Sequence, residues 1–444
     1  MKIALVALSG VRVRNEELVR LGVTLPGFVQ RGRVIASLPS LGLLTVAALT
    51  PPEHEVCYFE VEDASSIDHA LTDFDLIGIS SFTANINDAY ALADRLRARG
   101  RRVVLGGIHV SLLPDEAIEH ADAIVVGGAE GAWRELLCDA GRGTLRRAYR
   151  GALDGVFSPG LYAKPRFDLL RGRAYSRLTV QTSRGCPRAC EFCAASLRIT
   201  SRYQQKPVEL VIAELREARR QCDQPFFEFA DDNTFLDRRW SRQLLAALER
   251  EQLHYFTETD ASVADEPELC DRIAASGCRQ LLIGFESPSA ADLKGVDPAG
   301  WKGRRASDLH RVVDTLQSRG VSVNGCFILG LDAHTPDVFP RLLDAVRASG
   351  LAEVQYTVLT PFPGTPLYRR LAAEGRLLPN AGWSNRTLFD VTFTPKNMSV
   401  AELEAGLRFL FENTYTRSET RRRQRNFIHQ KRRGPAPEAS AAGS

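Results

Sequence analysis

Leu178-Thr-Val-Gln-Thr-Ser-Arg-Gly-Cys186-Pro-Arg-Ala-Cys190-Glu-Phe-Cys193 runs from a short apolar strand into three cysteines spaced C-x3-C-x2-C. Thiolates are the usual ligands of iron–sulfur clusters, and a four-iron cluster takes four ligands. Three cysteines delivered in one loop therefore read as a cluster site with one iron left to a ligand other than protein. A closed tetrahedral zinc site would need a fourth Cys or His, and between Cys193 and His254 only Cys222 offers one.

Working outward, the strand before the cysteines opens a series of short apolar strands alternating with amphipathic helices, the pattern of a parallel sheet covered by helices. Strands are expected from Leu178 to Thr182, Phe226 to Ala230, Tyr255 to Thr259, Gln280 to Phe285, Ser322 to Leu329 and Val354 to Leu359. Helices fall between them, from Val208 to Gln221, Arg238 to Glu251, Pro267 to Ser276, Ala306 to Ser318 and Val338 to Ala348. In barrels of this kind the chemistry gathers at the carboxyl ends of the strands. Those ends carry Ala230-Asp-Asp-Asn233, Thr257-Glu-Thr-Asp260 and Gly284-Phe-Glu-Ser287. Carboxylates are costly to bury without partners, so Asp231, Asp232, Glu258 and Glu286 are site candidates, while Asn233 reads as a helix cap.

Upstream, a linker at 151–173 is broken by Ser158-Pro-Gly160 and Lys164-Pro165. Before it, residues 1–150 repeat the strand–helix alternation as a doubly wound, Rossmann-like unit. Its strands are expected from Lys2 to Leu8, Glu55 to Val61, Leu76 to Ser80, Arg102 to Leu105 and Ala123 to Val126. Helical character marks Leu41 to Leu49, Asn87 to Arg99, Pro114 to His120 and Gly131 to Ala140. The strand ends read Ser9-Gly10, Ser80-Ser81-Phe82-Thr83, Gly106-Gly107-Ile108-His109 and Gly127-Gly128-Ala129-Glu130. Small residues there let a large flat or phosphorylated ligand approach the backbone.

The cysteine spacing, with Phe192 before the third cysteine, matches the motif of the radical S-adenosylmethionine (SAM) superfamily. A Rossmann-like unit ahead of it resembles the members with a cobalamin-binding domain, the group that includes class B methyltransferases. Leu38-Pro-Ser-Leu-Gly-Leu-Leu44, Gly106 to His109 and Gly127 to Glu130 look like that group's recurring segments. The resemblance implies a cobalamin-binding-type domain at 1–150 and a partial (β/α)6 TIM barrel at 174–366 holding a 4Fe-4S cluster on Cys186, Cys190 and Cys193. It implies SAM contacts from Phe192, Asp231, Asp232, Glu258, Glu286, Gly325 and Gly330, and cobalamin contacts from Ser80, Ser81, Gly106, Gly107, His109, Gly127 and Glu130. Two features depart from the group: no Asp-x-His-x-x-Gly occurs in residues 1–150, and the usual Gly-Glu-x-Glu is reduced to Gly127-Gly-Ala-Glu130. Gly325-Cys-Phe-Ile-Leu-Gly330 also sets its first glycine one place early for the adenine-packing segment, and the prolines of Thr360-Pro-Phe-Pro-Gly-Thr-Pro366 read as a rigid turn or a substrate contact.

The activity so implied is reductive cleavage of SAM to a 5′-deoxyadenosyl radical. Methylation of an unactivated carbon follows if cobalamin is bound, and rearrangement, cyclisation or carbon–carbon bond formation if it is not. The expected partners are a small-molecule or lipid substrate and an electron donor such as flavodoxin or ferredoxin. An iron–sulfur redox sensor is the non-enzymatic alternative. Methylthiolation of transfer RNA is disfavoured, because only Cys57 and Cys138 precede the motif.

Composition sets the outer limits. A chain of 444 residues exceeds what one core serves, so two or three domains are expected. No segment approaches the roughly eighteen apolar residues of a membrane span. Nine cysteines without a disulfide framework point to a reducing cytoplasm, with Cys57, Cys138, Cys222, Cys270, Cys278 and Cys326 read as core packing. A net charge of +3 argues against general nucleic-acid binding. A mainly helical region at 367–427 carries Trp383, Phe389, Phe393, Phe409, Leu410 and Phe411, read as core, and a basic, small-residue stretch at 428–444 reads as disordered.

Overall fold

The computed structural model describes residues 1–8, 11–14, 16–20, 34–35, 38–173, 175, 177–195, 200, 202–221 and 225–435. The strand end at Ser9-Gly10, Cys222 and residues 436–444 of the tail lie outside the described residues.

Along the first strand, β1 (Lys2–Leu8), Ile3, Leu5 and Ala7 enter one core cluster while Ala4, Val6 and Leu8 enter another. A strand buried on both faces has no use for polar alternation, which is why it reads as a continuous apolar run. It pairs in parallel with β2 (Glu55–Val61) and β3 (Leu76–Ser81), and the sheet continues through β4 (Arg102–Gly106), β5 (Ala123–Val126) and β6 (Ala148–Arg150). The order β2-β1-β3-β4-β5-β6 switches direction beside β1, and ligands of such sheets bind beyond the carboxyl ends there. Helices α1 (Leu41–Leu49) and α4 (Trp133–Arg142) bury their apolar sides in one cluster, α2 (Ile86–Ala98) in the other. A short α3 (Ile108–Leu112) follows β4 directly. Neither α3 nor β6 is anticipated from sequence. In β6 only Tyr149 is buried between exposed Ala148 and Arg150, so this edge strand lacks the apolar run of its neighbours.

The second sheet contains β7 (Leu178–Val180), β8 (Phe227–Phe229), β9 (Tyr255–Thr259), β10 (Cys278–Glu286), β11 (Ser322–Leu329) and β12 (Glu353–Val358). Each pairs in parallel with the next, giving an unclosed six-stranded barrel wall. Between them lie α5 (Val208–Gln221), α6 (Arg238–Glu251), α7 (Pro267–Ala275), α8 (Leu309–Gln317) and α9 (Val338–Ser349). Local signals fix their ends: Asp237 accepts from the Trp240 N–H at 2.9 Å to start α6, and Gly350, with a φ of 77°, stops α9.

The C-terminal region adds α10 (Pro366–Ala373), α11 (Val400–Thr414) and α12 (Arg417–Arg433). Phe389, Phe393, Leu410 and Phe411 are core residues, whereas Phe409 points outward. Residues 428–433 are helical and not disordered: Gln430 accepts from Gln317 Nε2 at 2.5 Å, and Arg433 pairs with Asp314 on α8. Composition hides this because the order comes from tertiary partners. Among the described residues no helix is long and apolar enough to cross a membrane.

Candidate functional site

The cysteine loop is anchored before it begins. Just past β7, the backbone N–H groups of Thr182 and Ser183 donate to Asp231 Oδ1 at 2.7 and 2.9 Å, and Thr234 Oγ1 donates to Oδ2 at 2.8 Å. The Thr182 hydroxyl makes a further short bond to the same carboxyl. Burial pushes the Asp231 pKa up, against these bonds. Asp231 is thus a brace between the ends of β7 and β8 and does not line the cavity beyond them. Its neighbour Asp232 does, and accepts from the N–H of Gly185, whose φ of 89° makes the turn into the cysteines.

That cavity, of about 370 Å³, is lined by Cys186, Cys190, Cys193, Phe192, Asp232, Glu258 and Glu286. Among the described residues no three His, Cys, Asp or Glu side chains converge closely enough to hold a single ion. A cubane spreads its thiolates over separate irons, so three cysteines around one volume fit a cluster and not a lone zinc. Burial raises the Cys186 thiol pKa and pushes that of Cys190 up to about 12; ligation would expel these protons.

Glu286 ends β10 at a register irregularity with a left-handed φ of 63°, unusual for a non-glycine residue and typical of functional positions. Its Oε1 accepts from Lys302 Nζ at 2.7 Å, and the same ammonium donates to the Gly284 carbonyl at 2.6 Å. Asp297 holds this segment through the N–H groups of Trp301 and Lys302 at 2.8 and 3.0 Å. Glu258 opens on the cavity but lies deep; burial first, then the nearby carboxylates of Glu228, Asp232, Asp231 and Glu286, push its pKa up to about 8. A neutral Glu258 can donate a hydrogen bond as well as accept one.

Asn233 is not a helix cap, a role taken by Asp237. Its Nδ2 instead lies 2.9 Å from Asp260 Oδ2 and 4.0 Å from Cys186 Sγ. Asp260 also accepts from Arg188 Nε at 3.0 Å, and the Arg188 guanidinium sits 4.0 Å from the Trp301 ring centroid. Sequence reading missed Asp260, Arg188, Trp301 and Lys302; only Asp260 had a signal, its place at the end of β9. Gly325 and Gly330 do not line the cavity. A Cβ on Gly325 would meet Leu351 at 2.7 Å, and one on Gly330 would meet Leu403 and Phe393 at 3.0 Å, so both glycines serve packing. Cys326 faces this cavity, and Cys57 and Cys138 are partly or fully exposed, so the core reading holds for Cys270 and Cys278.

A second cavity, of about 360 Å³, lies between the carboxyl edge of the N-terminal sheet and the barrel. Ser80, Gly106, Gly107, Gly127 and Glu130 line it, with an apolar wall including Leu41, Leu43, Val104, Val125 and Trp133. A Cβ on Gly42 would meet nothing within 4 Å, and one on Gly106 would first meet Val125 at 3.9 Å, so these glycines leave open a flat apolar cradle suited to a corrin. Gly127 and Gly128 have other reasons for being glycine: Gly127 holds a φ of 83°, and the Ala152 carbonyl lies 2.8 Å from a Cβ on Gly128. Ser81 and His109 do not line the cavity. Because α3 begins immediately after Gly107, His109 is carried into the protein. It is fully buried, 3.2 Å from both Thr83 Oγ1 and Glu116 Oε1 and edge-on to Trp383, and burial lowers its pKa.

The sequence models of the Radical SAM superfamily and of the B12 binding domain match residues 180–346 and 32–137, and a Domain of unknown function (DUF4070) matches 365–442. Bacteriochlorophyllide d C-12(1)-methyltransferase of Chlorobaculum tepidum is 26% identical over 374 residues, covering 83% of this chain and 80% of that protein. Hopanoid C-2 methylase of Rhodopseudomonas palustris is 27% identical over 356 residues, covering 78% and 66%. Among solved structures, the radical SAM methyltransferase TsrM from Kitasatospora setae, with cobalamin and a 4Fe-4S cluster bound, superposes with a TM-score of 0.65 at 18% identity, covering 98% of this chain and 99% of that one. The cobalamin-dependent SAM radical enzyme OxsB, with aqua-cobalamin and SAM bound, gives 0.69 at 15% identity, covering 97% and 71%. At these identities the superpositions establish the fold, and the domain matches fall on the two cavities: the chain carries a B12-binding domain at 32–137 followed by a radical SAM domain at 180–346.

Proposed function

We propose that this chain is a cobalamin-dependent radical SAM methyltransferase acting on an unactivated carbon of a small-molecule or lipid substrate. The observation that carries the reading is the shared wall of the two cavities. Gln181, Arg184 and Ala230 face the glycine cradle, and Cys186 and Asp232, further along the same two loops, face the cysteine cavity. Two cofactors held there would meet a substrate from adjoining sides.

When bound, the cluster and SAM supply a hydrogen-abstracting radical, and cobalamin supplies the methyl group. The chain's residues bind and orient. Cys186, Cys190 and Cys193 would hold three irons, leaving the fourth to SAM. Phe192, Asp232, Glu258 and Glu286 line the same cavity and would contact SAM, with Glu286 fixed by Lys302. Ser80, Gly106, Gly107, Gly127 and Glu130 would face the corrin. Thiols of this number require a reducing compartment such as the cytoplasm, and a flavodoxin or ferredoxin would deliver the electron.

The test is to prepare the protein anaerobically with hydroxocobalamin and desalt it. Stoichiometric corrin absorbance is expected; a colourless protein that still assembles its cluster would remove the methyltransferase reading.

A further inference from the structure

Arg386 is a charged side chain that neither cavity accounts for. It is 4% exposed, and its Nε and Nη1 are sealed from solvent with no hydrogen-bond acceptor, leaving Nη2 as the atom open to an incoming group. No carboxylate pairs with it among the described residues; burial lowers its pKa to about 10, against a push from Tyr368. The Trp383 ring lies 5.7 Å from its Cζ, a weak substitute for a counter-ion. A buried guanidinium without an anion is costly, and each such group calls for an explanation.

Its position supplies one. Arg386 closes the turn Trp383–Asn385, which packs against Thr83–Asn85 just beyond β3. Trp383 Nε1 donates to Glu116 Oε2 at 3.0 Å, tying the turn to the N-terminal unit. Two residues later Leu388 lines the cysteine cavity, and its carbonyl accepts from the Val358 N–H at 2.7 Å at the end of β12. Leu388 holds a φ of 73°, so a strained, non-glycine backbone fixes this strap where it reaches the cysteine cavity.

We propose that Arg386 binds an anionic oxygen group of the substrate, a carboxylate or a phosphate, and so orients the molecule whose reacting carbon enters the cysteine cavity. The inference rests on the methyltransferase reading and narrows its substrate to an anionic one. The planar guanidinium matches such groups by charge-assisted hydrogen bonds.

The experiment follows thermal unfolding of the anaerobically reconstituted full chain against inorganic phosphate at constant ionic strength, for wild type, R386M and R386K. Phosphate should raise the wild-type midpoint by about 2 °C, raise R386K less and leave R386M unmoved. Without phosphate, R386M should melt no lower than wild type, since it removes an unpaired cation. Equal phosphate shifts in wild type and R386M overturn the proposal, as does a large drop for R386M in its absence, which marks a structural role. R386Q is read the same way should R386M not fold. Repeating the titration with SAM or hydroxocobalamin bound separates the sources. A persisting shift leaves the site to substrate, and a lost one assigns it to that cofactor and overturns the proposal. Unfolding is read without turnover, so a protein that cleaves no SAM can still pass or fail this test.

Discussion

Glu258 sits deep among carboxylates with its pKa raised to about 8, against an ordinary value of 4.5. A carboxyl whose folded pKa lies above its unfolded one contributes stability that is fully present below the unfolded value and lost as pH rises through the folded one. Denaturant midpoints should therefore fall between about pH 4.5 and 8. E258Q, which copies the neutral carboxyl, should flatten that fall, and an unchanged slope in the variant would contradict the assignment. Lys302 and Glu286 make the opposite case, a buried pair whose members need each other. K302M should cost about 3–5 kcal/mol in denaturant unfolding by stranding the carboxylate, while the double variant K302M/E286Q should recover much of the loss. Only half of this pair was legible. Glu286 follows an apolar strand and announces itself, whereas Lys302 comes from a single helical turn, Trp301–Arg304, too short for any periodicity to reveal. The same holds for Arg188 and Arg386, whose partners, or lack of them, depend on chain distant in sequence.

At the scale of elements, the strands were legible because burial on both faces leaves an uninterrupted apolar run, as in β1. β6 escaped because its one buried residue, Tyr149, is flanked by exposed ones. The glycine-rich strand ends were visible too, but sequence could not tell cofactor cradle from chain packing. Gly151 and Gly42 separate the two. A Cβ on Gly151 would lie 1.5 Å from the Gly128 carbonyl, so G151A should destabilise the fold by about 1–3 kcal/mol. Gly42 lies in α1, lines the cradle, and has nothing within 4 Å of its would-be Cβ. G42A should stabilise the protein by about 0.5–1 kcal/mol while weakening retention of hydroxocobalamin, as read by unfolding and equilibrium dialysis on the same sample. Unaltered retention would place the corrin elsewhere. His109 illustrates the limit: a strand-end histidine becomes a buried one because α3 starts one residue earlier, at Ile108.

For the whole molecule, two parallel sheets present their carboxyl ends to a common region, with one core cluster running from the N-terminal sheet into the barrel. The two loops that end β7 and β8 serve both cavities, so the brace at Asp231 supports the geometry of each. The central claim is that three thiolates hold a cluster with one iron open to SAM. Its most direct test is 5′-deoxyadenosine formed from SAM by anaerobically reconstituted protein under strong reductant, compared with a variant carrying Cys186, Cys190 and Cys193 all as alanine. Release of 5′-deoxyadenosine by wild type alone is the predicted result; none from an iron-loaded wild type, or equal release from the variant, would contradict it.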